Sequence, residues 1–175
     1  MKRAWSALLA LLFVFLLCGC RNGSGRGQNP PAIPQSYEAD ANISFNGVSI
    51  SSHIIQNNFE NMTVEITSPK ELKGFVFIKS SDEYCMNYKS MNYKIELSKF
   101  PKASFLSIIT RVYESIVNSD GVKFTKKDKY WIYQGNTEFG KFIVTQNDET
   151  GFVEKIEVPK AGLVAEFSNI KAIAR

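Results

Sequence analysis

The sequence predicts an α+β fold in which a curved antiparallel sheet is wrapped around one long helix. Three observations carry this expectation. From Tyr37 onward, apolar and polar residues alternate with the two-residue period of half-buried strands. One segment alone, Pro101 to Val117, repeats its apolar residues at three- and four-residue steps. Four further strand patterns then follow at short spacing, as in an antiparallel meander. Strands, one helix, then strands is an α+β order.

The chain begins with Met1-Lys2-Arg3, a short basic start, followed by the almost wholly apolar run Trp5 to Leu17. A membrane-spanning helix needs about 20 apolar residues, so this run is too short for one. It has the proportions of a secretory signal core, about 7–15 residues long. The Gly19-Cys20 junction at its end resembles the lipobox of bacterial lipoproteins. That resemblance implies a signal peptide over residues 1–19 and acyl chains on the Cys20 thiol. The protein would then be lipid-anchored at the cell membrane and face outward, on the periplasmic or extracytoplasmic side. Cys18 would leave with the signal, so only Cys85 remains in the body and no internal disulfide can form. The fold must then hold by its core alone.

Removal of residues 1–19 leaves 156, enough for one domain, and lowers the net charge from +4 to +2. A balance that small argues against nucleic acid as a partner. Residues 20–36 read as the lipidated cysteine and a flexible tether. Arg21 to Ser36 is rich in glycine and proline and has little to bury. As a flexible coil it spans about 22 Å. The alternative is that Ile33 tucks into the domain, which occupies residues 37–175.

Within that domain, Tyr37, Ala39, Ala41, Ile43 and Phe45 alternate with polar residues, and Asn46-Gly47 marks a hairpin. Val48, Ile50 and Ile54 continue on the return strand, and Met62, Val64 and Ile66 give a third. Ser68 to Gly74 has the residues of a capping box and one helical turn, with Pro69 first and Gly74 last. Phe75 to Ile78 is an apolar run expected to be buried on both faces or to lie beneath the helix. Tyr84 to Tyr88 and Asn92 to Ile95 form two more polar strands around a tight turn at Lys89-Ser90-Met91.

Pro101 can start the helix, and Asn118-Ser119-Asp120-Gly121 stops it. Lys126 to Lys129 reads as a solvated connector. The meander comprises Tyr130 to Gln134, a Gly135-Asn136 turn, Phe139 to Gln146, an Asp148 to Gly151 turn, Phe152 to Val158, and Leu163 to Ile170 after Pro159 to Gly162.

Two phrases, Glu65 to Phe75 and Thr150 to Pro159, together with the order of elements, resemble bacterial lipoproteins whose fold is like the outer-membrane lipoprotein carrier and receptor (LolA/LolB-like) superfamily. The resemblance covers about Tyr37 to Ile170. It implies an incomplete β-barrel around the helix, with an apolar cavity that holds acyl chains. Its lipid-anchored members imply the receptor type or the lipoproteins of single-membrane bacteria. Members that serve as partners of cell-wall enzymes imply a second, non-catalytic role.

The residues offer little for catalysis. His53 is the sole histidine, placed among serines on a strand and read as a surface side chain. Cys85 has no base nearby in sequence and reads as a buried small hydrophobe. Asp148 to Gly151 lacks the ligand spacing of a calcium loop. No catalytic residue, metal site or cofactor is implied, and the protein is expected not to be an enzyme.

Apolar and aromatic side chains remain. Phe45, Phe75, Phe77, Phe105, Ile109, Trp131, Phe142 and Phe167 occupy inward-capable positions and are the candidate lining of a ligand cavity. Two functions stay open. One is a membrane-anchored lipoprotein that binds a hydrophobic ligand, such as a lipid, a lipopeptide or the acyl chain of another lipoprotein. The other is a non-catalytic adaptor that positions or regulates a cell-envelope enzyme. A pocket of about 300 Å³ or more favours the first, and a closed core favours the second.

Overall fold

The computed structural model describes residues 29–173, apart from 59, 100, 102–103 and 120. The signal peptide and Cys20 lie outside the described residues. Eleven strands form a single sheet: β1 (Tyr37–Phe45), β2 (Val48–Gln56), β3 (Met62–Ser68), β4 (Val76–Lys79), β5 (Glu83–Tyr88), β6 (Met91–Glu96), β7 (Lys123–Lys127), β8 (Tyr130–Thr137), β9 (Gly140–Asn147), β10 (Val153–Val158) and β11 (Leu163–Ala172). The single α-helix among the described residues, α1 (Phe105–Val117), lies between β6 and β7 in the chain.

The strand order is β6-β5-β4-β3-β2-β1-β11-β10-β9-β8-β7, and neighbours run antiparallel. β6 and β7 are left as edges, so the sheet is not closed. The first and last strands meet in the middle, with Ile43 opposite Ala165 and Phe45 opposite Leu163.

The alternating pattern decides which face is buried. Ala39, Ala41 and Ile43 of β1, Ile50, Ser52 and Ile54 of β2, and Met62, Val64 and Ile66 of β3 all point inward. All of these but Ala39 and Ser52 belong to one core with Leu106, Ile108, Ile109, Val112, Tyr113 and Ile116 of α1. The helix starts at Phe105, later than Pro101, because the Ser104 hydroxyl caps it by accepting from the Ser107 N–H at 3.1 Å.

Four local expectations need correction. Lys123–Lys127 is an edge strand, where a solvated connector was expected at Lys126 to Lys129, and all five of its residues are exposed. Gly135-Asn136 is no turn, for β8 runs through it to Thr137. A Cβ on Gly135 would collide with Phe142 Cζ, so the glycine makes room for a buried ring across the strand pair. The true turn is at Glu138-Phe139.

Ser68 to Gly74 is a broad turn, and no α-helical turn forms. Ile66 N–H donates to Phe75 O at 2.8 Å and Gly74 N–H to Ile66 O at 2.9 Å, so the β3–β4 ladder closes around it. Phe75 to Ile78 is half-buried, short of being covered on both faces.

The end of the expected tether is docked. Ile33 packs against the core, which is the alternative its sequence left open. Gln146 Nε2 donates to Pro31 O at 2.8 Å and Gln56 Nε2 to Gln35 O at 3.3 Å. Both glutamines are fully buried at inward positions of β9 and β2. Tyrosines orient them: Tyr133 Oη donates to Gln146 Oε1 at 2.7 Å, and Tyr37 Oη to Gln56 Oε1 at 3.4 Å. Residues 30–35 thus form a strap across one end of the sheet.

Candidate functional site

At the opposite end of β1 and β2 from the strap, the sheet and the first turn of α1 leave an apolar hollow of about 430 Å³. Phe45, Val48, Ile50, Ile66, Leu72, Phe75, Phe77 and Phe105 line it, and Asn46 is the one polar residue on its wall. Local structure accounts for each placement. The Asn46-Gly47 hairpin brings Phe45 beside Val48. The Ser68 to Gly74 turn swings Leu72 over the same space. Phe75 stacks on Tyr88, with ring centroids 4.0 Å apart, and Phe77 meets Phe105 edge-on at 6.1 Å. Phe45, Leu72, Phe75, Phe77 and Phe105 are half-buried and Val48 is 57% exposed, so the hollow opens to solvent.

Of the eight aromatic and aliphatic residues singled out in the sequence, Phe45, Phe75, Phe77 and Phe105 meet in this hollow. Ile109, Trp131, Phe142 and Phe167 do not line it. Ile109 faces the sheet from α1, Phe142 covers Gly135, and Phe167 is buried on β11. Trp131 is buried on β8, where its indole N–H donates to Asp148 Oδ1 at 2.6 Å and Lys126 lies over its ring. Val48, Ile50, Ile66 and Leu72 complete the wall. Val48, Ile50 and Ile66 follow the inward phase of their strands, whereas Leu72 reaches it from a turn that carries no periodic signal.

The polar candidates fall elsewhere. His53 Nδ1 lies 3.1 Å from Asp40 Oδ1 on the outer face of the sheet. Asn169 Nδ2 donates to the other oxygen of Asp40 at 2.8 Å, and these contacts hold that carboxyl below its usual pKa. Cys85 is half-buried, its thiol turned toward Asn87 and Asn92. Among the described residues, no group of three or more His, Cys, Asp or Glu side chains is placed to hold a metal ion.

Beside the hollow runs a polar cleft of about 410 Å³, none of whose lining residues is among the candidates drawn from the sequence. Lys79, Tyr84, Ser107 and Thr110 line its floor, and Glu60, Arg111, Glu114 and Glu138 its rim. Lys79 is only 9% exposed, and its ammonium donates to Glu60 O at 3.2 Å. Burial pushes the Lys79 pKa down and that of Tyr84 up. Arg111 bridges Glu114 at 3.1 Å and Glu138 at 3.2 Å, tying α1 to the β8–β9 turn.

No family model matches the chain, and no curated protein sequence matches it. Solved structures do. An uncharacterized conserved protein from Thermus thermophilus shares the fold, at 8% identity and a TM-score of 0.52 over 81% of this chain and 80% of that one. A LolA superfamily protein from Nitrosomonas europaea matches at 13% identity and a TM-score of 0.45, covering 81% and 87%. A structure of the CwlD amidase from Clostridioides difficile in complex with the GerS lipoprotein matches at 17% identity and 0.46, covering 71% and 76%. The match to the Thermus thermophilus protein is a likeness of fold alone.

Proposed function

We propose that this protein is a non-enzymatic, lipid-anchored lipoprotein of the cell envelope that binds a hydrophobic ligand in the hollow over Phe45, Phe75, Phe77 and Phe105. The carrying observation is the hollow itself. Its volume of about 430 Å³ falls within the roughly 300–1,000 Å³ typical of ligand pockets. Soluble domains seldom expose that many clustered aromatic side chains without using them. An apolar wall with a single polar residue suits an acyl chain, with the sheet curving around helix and ligand together.

The test uses the full-length protein in mild detergent and a fluorescent fatty acid as probe. The wild type is expected to bind the probe and to lose it when Phe75 or Phe105 becomes Asp, with circular dichroism unchanged. A wild type that binds no probe overturns the reading. For the anchor, Cys20→Ala is expected to release the protein from salt-washed membranes. Equal retention of both forms would exclude anchoring at Cys20.

One observation favours the adaptor reading as the alternative. The edge strand β6 exposes Met91 (62%) and Tyr93 (59%), and an unpaired edge can accept a strand from a partner. Cross-linking from Tyr93 in cells would capture an envelope protein under that reading and lipid alone under the first.

A further inference from the structure

Among the described residues, two large apolar side chains stay exposed away from both the hollow and the β6 edge, and they stand together. Val117 (50% exposed), at the end of α1, and Phe124 (45%), on β7, line one groove with Pro30, Pro31, Ala32 and Ile33 of the strap. The rings of Trp131 and Tyr133 back Phe124, with centroids 5.9 and 6.1 Å away. The start of the strap therefore lies beside this pair. Asn29 stands nine residues after Cys20, and a chain of that length reaches at most about 30 Å. Acyl chains on Cys20 would keep this face within that distance of a bilayer.

The same edge is basic. Lys123, Lys127 and Lys129 lie on β7 and in the turn after it, and none has an ion pair among the described residues. Lys126 pairs with Asp148 at 2.7 Å, and Asp128 is the one acidic residue in the run. Lysines on an edge strand guard it against pairing with another chain. Yet β6, the other edge, holds a single lysine, Lys94, and Glu83 neutralises it at 2.8 Å. Guarding alone does not explain why positive charge gathers on the edge beside the strap. Arg21 and Arg26 add to it, as the only charged residues between Cys20 and Asn29. Residues 21–29 and 123–129 together carry six basic side chains and one acidic. The rest of the chain from Cys20 onward, whose total is +2, is therefore net −3.

We infer that this face is a second membrane contact, which rests on the surface of an anionic bilayer. Val117 and Phe124 enter the head-group layer, and Lys123, Lys127 and Lys129 meet the lipid phosphates around them. The length of chain to Cys20 brings a bilayer to this face, and the sign of its charge fits anionic lipid. Each lysine held near such a surface favours the docked state by about fivefold. The hollow, at the other end of β1 and β2 from the strap, stays clear of the bilayer and open to ligand. This inference rests on the reading of Cys20 as the anchor.

The test is a lysine footprint on the full-length protein purified from membranes in mild detergent. It is placed in vesicles of phosphatidylcholine, with or without phosphatidylglycerol, treated briefly with an amine-acylating reagent and read by mass spectrometry. On the anionic vesicles Lys123, Lys127 and Lys129 are expected to react about fivefold more slowly than in detergent. Lys94 on β6 and Lys73 in the turn over the hollow are expected to react as before. The protection should largely vanish on phosphatidylcholine alone. It should also vanish at Lys123 in the double variant Lys127→Glu, Lys129→Glu, whose exposed positions folding tolerates. Equal reactivity in vesicles and detergent, equal protection at Lys94, or protection indifferent to lipid charge overturns the docking face. Flotation with the vesicles after a high-salt wash reads the anchor separately. A protein that floats but shows no footprint overturns the docking face and leaves the anchor standing. One that no longer floats overturns the anchor and this inference with it.

Discussion

Replacing Gln146 with leucine tests how the N-terminal strap is held. The side chain is fully buried and makes three short hydrogen bonds. Its amide nitrogen donates to Pro31 O at 2.8 Å and to Gly151 O at 2.8 Å, and its oxygen accepts from the Tyr133 hydroxyl at 2.7 Å. Leucine has nearly the same volume, so cavity formation contributes little. Each lost bond is worth about 1 kcal/mol, and more where a buried partner is left unsatisfied. Tyr133 is such a partner, whereas Pro31 is half-buried and can recruit water. The sum is about 3 kcal/mol, which corresponds to a fall in Tm of roughly 6–12 °C for a domain of this size. Calorimetry gives the first readout, and proteolysis between residues 29 and 36 gives the second. The strap should become cleavable in Gln146→Leu at temperatures where the sheet is still folded. The same change at Gln56, whose bonds are longer at 3.3 and 3.4 Å, should cost about 1 kcal/mol. A loss below about 1 kcal/mol for Gln146→Leu, or no gain in cleavage, would refute the clamp.

Gly135→Ala should destabilise the domain by about 1–3 kcal/mol by driving a methyl group into the Phe142 ring. Chemical denaturation should show the loss, and Phe142→Leu should recover part of it in the double variant. Burial raises the Tyr37 pKa to about 12, against the lowering effect of its bond to Tyr113. A raised folded-state pKa means the contribution is full below the unfolded value near 10 and is lost as pH climbs toward about 12. Phenolate absorbance in alkali should therefore rise together with the loss of circular dichroism, and Tyr37→Phe should flatten that pH dependence.

The elements that were legible in the sequence are those that announce themselves locally. Asn46-Gly47 between two alternating runs specifies β1 and β2, and the three-four spacing from Phe105 to Ile116 specifies α1. Lys123–Lys127 carries no such signal, because a strand exposed on both faces has no reason to alternate, and only its ladder to β8 defines it. Gly135 reads as a turn because its justification is the Phe142 ring across the strand pair. The strap reads as a tether because it is held by its backbone carbonyls, which composition does not display. Its signal lay elsewhere, in two glutamines at the inward phase of strands, Gln56 after Ile54 and Gln146 after Val144. A lysine at the inward phase, Lys79 after Phe77, likewise marked the cleft. The eight candidate cavity residues are chemically alike, and only the spatial arrangement separates four that face an opening from four that fill the core.

The pairing of β1 with β11 also governs the order of events during folding. These strands join the two halves of the sheet, and the contact of Asn169 with Asp40 spans 129 residues. Each half can form hairpins as it is made, but the joint between them must wait for the last strand of the sheet. Long-range closure of this kind slows folding, because the chain entropy is spent before the contacts are gained. Until β11 arrives, β1 exposes an unpaired central edge rather than one of the two the finished sheet keeps. A chain stalled or cut short before Leu163 would therefore display two sticky seams at once, and its fate would be decided by whatever strand reached them first.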